Sequence, residues 1–468
     1  MKKILLSATI CSTFLFSNNV PVPSDGSDLK ITIYNSNIAF INDFRQSNVG
    51  KGFQKLVYEG IPSNVITESV IPTFTGIKTN LYSQNYMYDL ISLNSMIKKS
   101  IDTEIEFYDN HSFDNPNPEL HKGILLSMSP IMIKRNSDNK IITLNSGQQI
   151  VFSKIPESMI TKPSLVWNVK TKKSGLLNID LKYLTRGITW NSNYVLDLSK
   201  DNLNLNGWIT IKNNSGVSYN NAEITCLAGE VNRINKNRSF ARGKMLMKSI
   251  ALADEEISVK EESFSGYHIY KIPFKENINN KQSKQISFIN KSNIKYLQYG
   301  QAINTYFDNY GKQSLIFKNI IEFKNSENNN LGIPLPEGSI RMYKKDSKGK
   351  THFIGEQRIK NIPKDENIKL TIGNMFDVVG DKKITKFKAD KYHRNVETTY
   401  EVRNRGIDNV IIKISERIPV FGRKIKVSTN CKNNCSFEKK SAFIREYRIK
   451  LDAGEVYKFS SEFDVQYH

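Results

Sequence analysis

The sequence predicts a mainly β protein of two antiparallel, sandwich-like domains with one short helix and a mobile insertion. Three observations carry that expectation. The first is alternation: Leu177, Ile179, Leu181 and Tyr183 are apolar while Asn178, Asp180 and Lys182 between them are polar, the period of a strand with one buried face. The second is composition, since 24 Phe, 21 Tyr and abundant Ile favour a pleated, half-buried surface. The third is punctuation by short polar turns such as Asn213-Asn214-Ser215-Gly216.

The central stretch Gly175–Glu230 reads as an antiparallel meander. Its first strand is Leu177–Tyr183. After Arg186–Tyr194 comes a second, with Leu203, Leu205, Ile209 and Ile211 inward and Trp208 interrupting the polar side, then a third with Ala222, Ile224, Cys226 and Ala228 inward. Gly229 ends it.

Taken in order, the chain opens with Met1-Lys2-Lys3 and the apolar run Ile4–Phe16, too short for a stable membrane anchor, which reads as a secretory signal peptide over residues 1–20 with cleavage near Ser17–Val20. Attachment of a lipid at Cys11 is the weaker alternative, because Thr9-Ile10 precedes it. An N-terminal β domain is expected over 21–170. In it, Leu29–Tyr34 and Ile38–Ile41 form a hairpin around Asn35-Ser36-Asn37. Leu90, Leu93, Ile97 and Ile101 lie three or four apart and predict a helix over 88–101. Residues 171–468 make the C-terminal β domain or domains. Asn232–Glu262, charged and without sustained period, is expected to be a mobile insertion that proteases cut first. Beyond it, Arg341–Lys345 and Thr351–Ile354 flank the turn Asp346–Lys350 as a hairpin, and Lys382–Asp390, Val396–Arg403, Val410–Ile418 and Arg445–Leu451 supply further alternating strands.

Of the four cysteines, Cys11 leaves with the signal segment. Cys431 and Cys435, separated by Lys432-Asn433-Asn434 in a polar turn, are expected to form a disulfide in an oxidising compartment. No His or second Cys pair stands near them to complete a metal site. Cys226 shares its face with Ile224 and reads as a buried, unreactive thiol.

The charge, 67 Lys+Arg minus 46 Asp+Glu, is +21, which favours anionic partners. The positive residues are spread along the sequence, so the expectation is weak, salt-sensitive contact with anionic polymers; runs of the kind that bind nucleic acid are missing.

Several motifs in order resemble one bacterial family. Arg186-Gly187-Ile188-Thr189-Trp190-Asn191-Ser192-Asn193-Tyr194, Gly207 with Asn213-Asn214-Ser215-Gly216, and Ala228-Gly229-Glu230-Val231-Asn232 are followed by Pro334-Leu335-Pro336-Glu337-Gly338, Phe353-Ile354-Gly355-Glu356 and Gly373–Val378. The series resembles the proteins catalogued under domain of unknown function 4139, which are related to mucoidy-inhibitor-A-like proteins. The resemblance extends through Tyr34–Gly60 to nearly the whole chain after the signal segment. It implies no chemistry, since the family carries none to transfer.

No catalytic, cofactor-binding or metal-ligating residues are assigned. The six His are scattered, and Gly349-Lys350-Thr351 lacks the first glycine of a phosphate-binding loop. Trp190 and Tyr194 are candidate ligand contacts that could stack on a sugar, although aromatics beside strands more often belong to a core. The resulting expectation is an exported, periplasmic or extracellular cell-envelope protein, without a transmembrane segment after the signal, that binds an envelope glycan or protein or acts structurally. The alternative is a carbohydrate-active hydrolase, which would need two carboxylates meeting in a cleft.

Overall fold

The computed structural model describes residues 19–23, 28–108, 119–144, 149–156, 159–229, 260–264, 266–305, 311–418 and 424–466. The alternating segments become strands paired into six sheets, and the inward residues of successive sheets make three main cores in series.

In the first core a four-stranded sheet, ordered Asn19–Val22, Gly52–Glu59, Ser164–Thr171, Thr79–Met87, shares its apolar face with a larger sheet. That sheet places Tyr219–Ala228, Asp28–Tyr34, Ile38–Val49, Gly175–Arg186 and Val65–Thr75 side by side. Strands from before and after residue 170 are thus hydrogen-bonded neighbours, so a domain boundary at 170/171 would cut one sheet and one core. The hairpin around Asn35–Asn37 forms as expected, with Tyr34 opposite Ile38.

A five-stranded sheet follows, ordered Gln282–Lys295, Asn202–Asn213, Ile188–Leu198, Gly338–Lys345, Thr351–Ile359. It serves two cores. Ile188, Trp190, Ile209 and Ile211 belong to the first, whereas Tyr194, Leu196, Leu203 and Leu205 pack in the second with Ile321, Phe323, Ile368 and Leu370 of the next sheet. That next, six-stranded sheet runs on into the third core. There Ile412, Ile414, Tyr447 and Ile449 meet Tyr400, Val402 and Phe459 of the last sheet.

The expected central meander is not what forms. Gly175–Arg186 pairs with Ile38–Val49 and Val65–Thr75, and Tyr219–Ala228 runs parallel to Asp28–Tyr34; only Ile188–Leu198 and Asn202–Asn213 pair with each other. The segment read as a link, Arg186–Tyr194, is mostly strand. Gly187 at φ +88 turns the chain from one sheet to the next, and a Cβ there would lie 2.7 Å from the Asn214 carbonyl oxygen, so only glycine fits.

The helix is shorter than expected. It spans Leu93–Lys99, capped by Ser92, whose side chain accepts from Ser95 N at 3.1 Å. Leu90 and Ile101, two of the four residues that suggested it, make isolated β-bridges to Ile160 and Leu125. The helix and another five-stranded sheet, ordered Ile141–Thr143, Ile131–Arg135, Leu120–Met128, Glu104–Tyr108, Ile150–Val151, form a separate small cluster through Ile97, Ile105, Phe107, Leu125 and Ile133. This unit lies in sequence between two neighbouring strands of the first sheet, Thr79–Met87 and Ser164–Thr171. The insertion expected at 232–262 falls outside the described residues, except that its end enters the strand Lys260–Phe264. Among the described residues no helix is long and apolar enough to cross a membrane.

Candidate functional site

The motifs Arg186–Tyr194, Ala228-Gly229 and Pro334–Gly338 converge where the first two cores meet, whereas Met375 and Val378 of the Gly373–Val378 motif pack with the third core. Along Ile188–Leu198 every second side chain is buried, and the direction of each is fixed by the pleat. Trp190 is 1% exposed in the first core, where its indole Nε1 donates to the Leu227 carbonyl at 3.2 Å. Tyr194 is 0% exposed in the second, donating through its hydroxyl to the Pro336 carbonyl at 2.7 Å, and burial raises its pKa far above the ordinary range. Neither candidate stacking residue presents a ring to solvent. Both are core anchors whose polar tips are satisfied by backbone.

Between them, Ser192 donates to the Glu337 carbonyl at 2.6 Å, which ties Pro336-Glu337-Gly338 to the strand. Gly338 opens the parallel pairing with Ser192, and a Cβ on it would stand 2.2 Å from the Ser192 carbonyl oxygen. The glycine permits the approach.

What this junction leaves open is a groove of about 640 Å³ lined by Asn35, Ser36, Thr189, Asn191, Ser339 and the Glu337–Arg358 pair, with the backbone of Trp190 and Gly229 in its wall. Asn35 Nδ2 donates to the Trp190 carbonyl at 3.3 Å, and Thr189 Oγ1 to the Asn35 carbonyl at 3.4 Å, so the hairpin turn is held against the strand. The one carboxylate among these lining residues, Glu337, accepts from Arg358 Nε at 3.0 Å and also from Nη2. The lining is therefore rich in amide and hydroxyl groups, suited to hydrogen bonding with a polar ligand.

A second polar centre lies inside the third core and was missed by sequence reasoning. Glu416 is 0% exposed; its Oε1 accepts from the Tyr400 hydroxyl, and Oε2 accepts from Tyr447 at 3.0 Å and Ser461 at 2.8 Å. Asn304 Nδ2 donates to the Tyr400 oxygen at 2.7 Å, and Lys382 Nζ donates to Asn304 Oδ1. Burial lifts Glu416 above the usual carboxylate range despite these donors, and burial pushes Lys382 below its usual range. A signal did exist. Glu416 stands in phase with the buried Ile412, Ile414 and Ile418, an acid on the inward side of a strand.

Cys431 and Cys435 are disulfide-bonded with Cα atoms 5.2 Å apart, in the turn leading into Cys435–Lys439. Cys226 is free, fully buried in the first core, and raised by burial well above the ordinary thiol range. It is not poised as a nucleophile.

No curated protein matches the chain. A family model, described as a domain of unknown function, DUF4139, matches residues 179–468. The match begins within the strand Gly175–Arg186, takes in the groove's main strand and the Glu416 centre, and covers more than half of the sequence. The chain belongs to the DUF4139 family.

Proposed function

We propose that this chain is an exported protein of the cell envelope that works as a binding or structural module, with the groove at Asn191 and Arg358 as its ligand site. The observation that carries this reading is the groove's chemistry. Its described residues offer amides, hydroxyls and one guanidinium, and their only carboxylate is engaged by Arg358, whereas glycoside hydrolysis uses two carboxyl groups flanking the bond. Export is supported by the basic-then-apolar opening Met1–Phe16 and by the Cys431–Cys435 disulfide, a bond that persists in oxidising compartments.

The test is capture of glycans and proteins from cell envelopes by the mature chain and by an Asn191→Ala/Arg358→Ala variant. A ligand retained by the first and lost by the second is the expected result. Equal capture by both would remove the groove from the reading, and release of new reducing ends from a bound glycan would replace binding with hydrolysis.

A further inference from the structure

Away from the groove, the outer side of the first four-stranded sheet carries two exposed aromatic rings. Phe53 is 59% and Tyr82 58% exposed, with ring centroids 5.3 Å apart. Lys170 Nζ lies 4.7 Å from the Phe53 ring centre, a cation–π contact. The pairing register sets Lys170 between Phe53 and Asn80, and Lys55 opposite Asn168, whose amide donates to Ser83 Oγ at 2.6 Å. Thr171 pairs with both Gly52 and Thr79, which brings Lys51, Lys78, Lys172 and Lys173 to the same end of these strands.

The charge on this face is positive around the rings, and its one acid on the strand that carries Phe53 and Lys55, Glu59, is exposed at the far end of that strand. Residues 50–58, 76–88 and 164–178 contain no Asp or Glu. Among the described residues none of Lys51, Lys55, Lys78, Lys170, Lys172 and Lys173 takes part in an ion pair, although lysines elsewhere commonly do. Six like charges without a carboxylate partner among the described residues, around two open rings, leave both the field and the apolar area for something outside the molecule.

We propose that this face binds an anionic polysaccharide, its sugar rings stacked on Phe53 and Tyr82 and its carboxylate or sulfate groups set against the lysines. Aromatic rings offer a flat apolar face to a sugar, and the neighbouring Asn80 and Asn168 amides suit its hydroxyls. The rings sit on strands of a sheet, which favours a polymer laid along the surface over a bilayer entered by a protruding loop. Bases of a single-stranded nucleic acid also stack on such rings; the choice of glycan rests on the export reading above.

The experiment measures binding of the mature chain to polygalacturonate, neutral dextran, single-stranded DNA and phosphatidylglycerol vesicles over a range of salt. Polygalacturonate should bind at physiological ionic strength and dextran at least tenfold more weakly. Phe53→Ala/Tyr82→Ala should weaken polygalacturonate at least tenfold with its melting temperature unchanged, because both rings are solvent-facing. Lys55→Gln/Lys170→Gln, a milder surface change, should weaken it and flatten its salt dependence. Unchanged affinity in both variants, or tighter binding of DNA or vesicles than of polygalacturonate, would overturn the proposal. Export is judged separately from the N-terminus of protein recovered from fractionated cells, so a failure there and a failure of this face are told apart.

Discussion

Removing the Tyr400 hydroxyl should destabilise the last two sheets by about 2 kcal/mol, the cost of leaving a buried acceptor without its donor. Among the described residues the Tyr400 proton is the one hydrogen bond at Glu416 Oε1, while Oε2 has two donors, Tyr447 and Ser461. Tyr400→Phe therefore leaves a fully buried carboxylate oxygen without a donor, whereas Tyr447→Phe leaves Ser461 in place and should cost about 1 kcal/mol or less. The decisive comparison adds Glu416→Leu. With the carboxylate gone, Tyr400→Phe no longer strips Glu416 of a donor and should cost only about 1 kcal/mol, for the hydrogen bond that the Tyr400 oxygen accepts from Asn304. Hydrogen exchange in peptides from His393–Asn404 and Val456–Gln466 reads the local opening equilibrium directly. About 2 kcal/mol corresponds to roughly thirtyfold faster exchange in the Tyr400→Phe variant. Equal acceleration by Tyr400→Phe with and without the Glu416→Leu change would mean no coupling between the two residues, and the buried centre would not be a unit.

Trp190→Ala should cost about 3–5 kcal/mol by opening a cavity in the first core, whereas Trp208→Ala, at a side chain 39% exposed, should lower the melting temperature far less; similar losses would contradict the placement of Trp190. Thiol labelling of the denatured chain without residues 1–20 should modify one cysteine before reduction and three after, and the native protein should resist labelling at Cys226. Three labelled at the outset would disprove the bridge. Burial alone would raise Asp381, but hydrogen bonds from Arg403 and Lys312 outweigh it and hold its carboxyl below the usual range. Its contribution to stability is therefore present above the ordinary Asp value and lost as pH falls through the lowered one, over a window opening near about pH 5. Asp381→Asn should flatten the acid limb of a stability-versus-pH curve, and an unchanged limb would exclude this ion pair as its source.

Local features were legible in the residues because their partners are close in the chain. The hairpin at Asn35–Asn37, the hairpin at Asp346–Lys350 and the Cys431–Cys435 bridge each close within a few residues, and turn-forming side chains announce them. Alternation also identified the buried face of Gly175–Arg186, with Leu177, Ile179 and Leu181 all inside. The family was readable too, because Gly187, Gly338 and the residues around them answer to close backbone approaches that few side chains permit.

Only the tertiary structure decided which strands are neighbours. A period of two tells which side of a strand is buried, but the backbone hydrogen bonds that pair it are the same for every partner. So Gly175–Arg186 could be recognised as a strand while its pairing to Ile38–Val49, more than a hundred residues earlier, could not. The same physics hid the sites. Glu416 meets Tyr400, Tyr447 and Ser461 because two sheets stack, Trp190 and Tyr194 fall into different cores because one strand crosses between them, and lysines scattered between Lys51 and Lys173 share a face because three distant strands lie side by side.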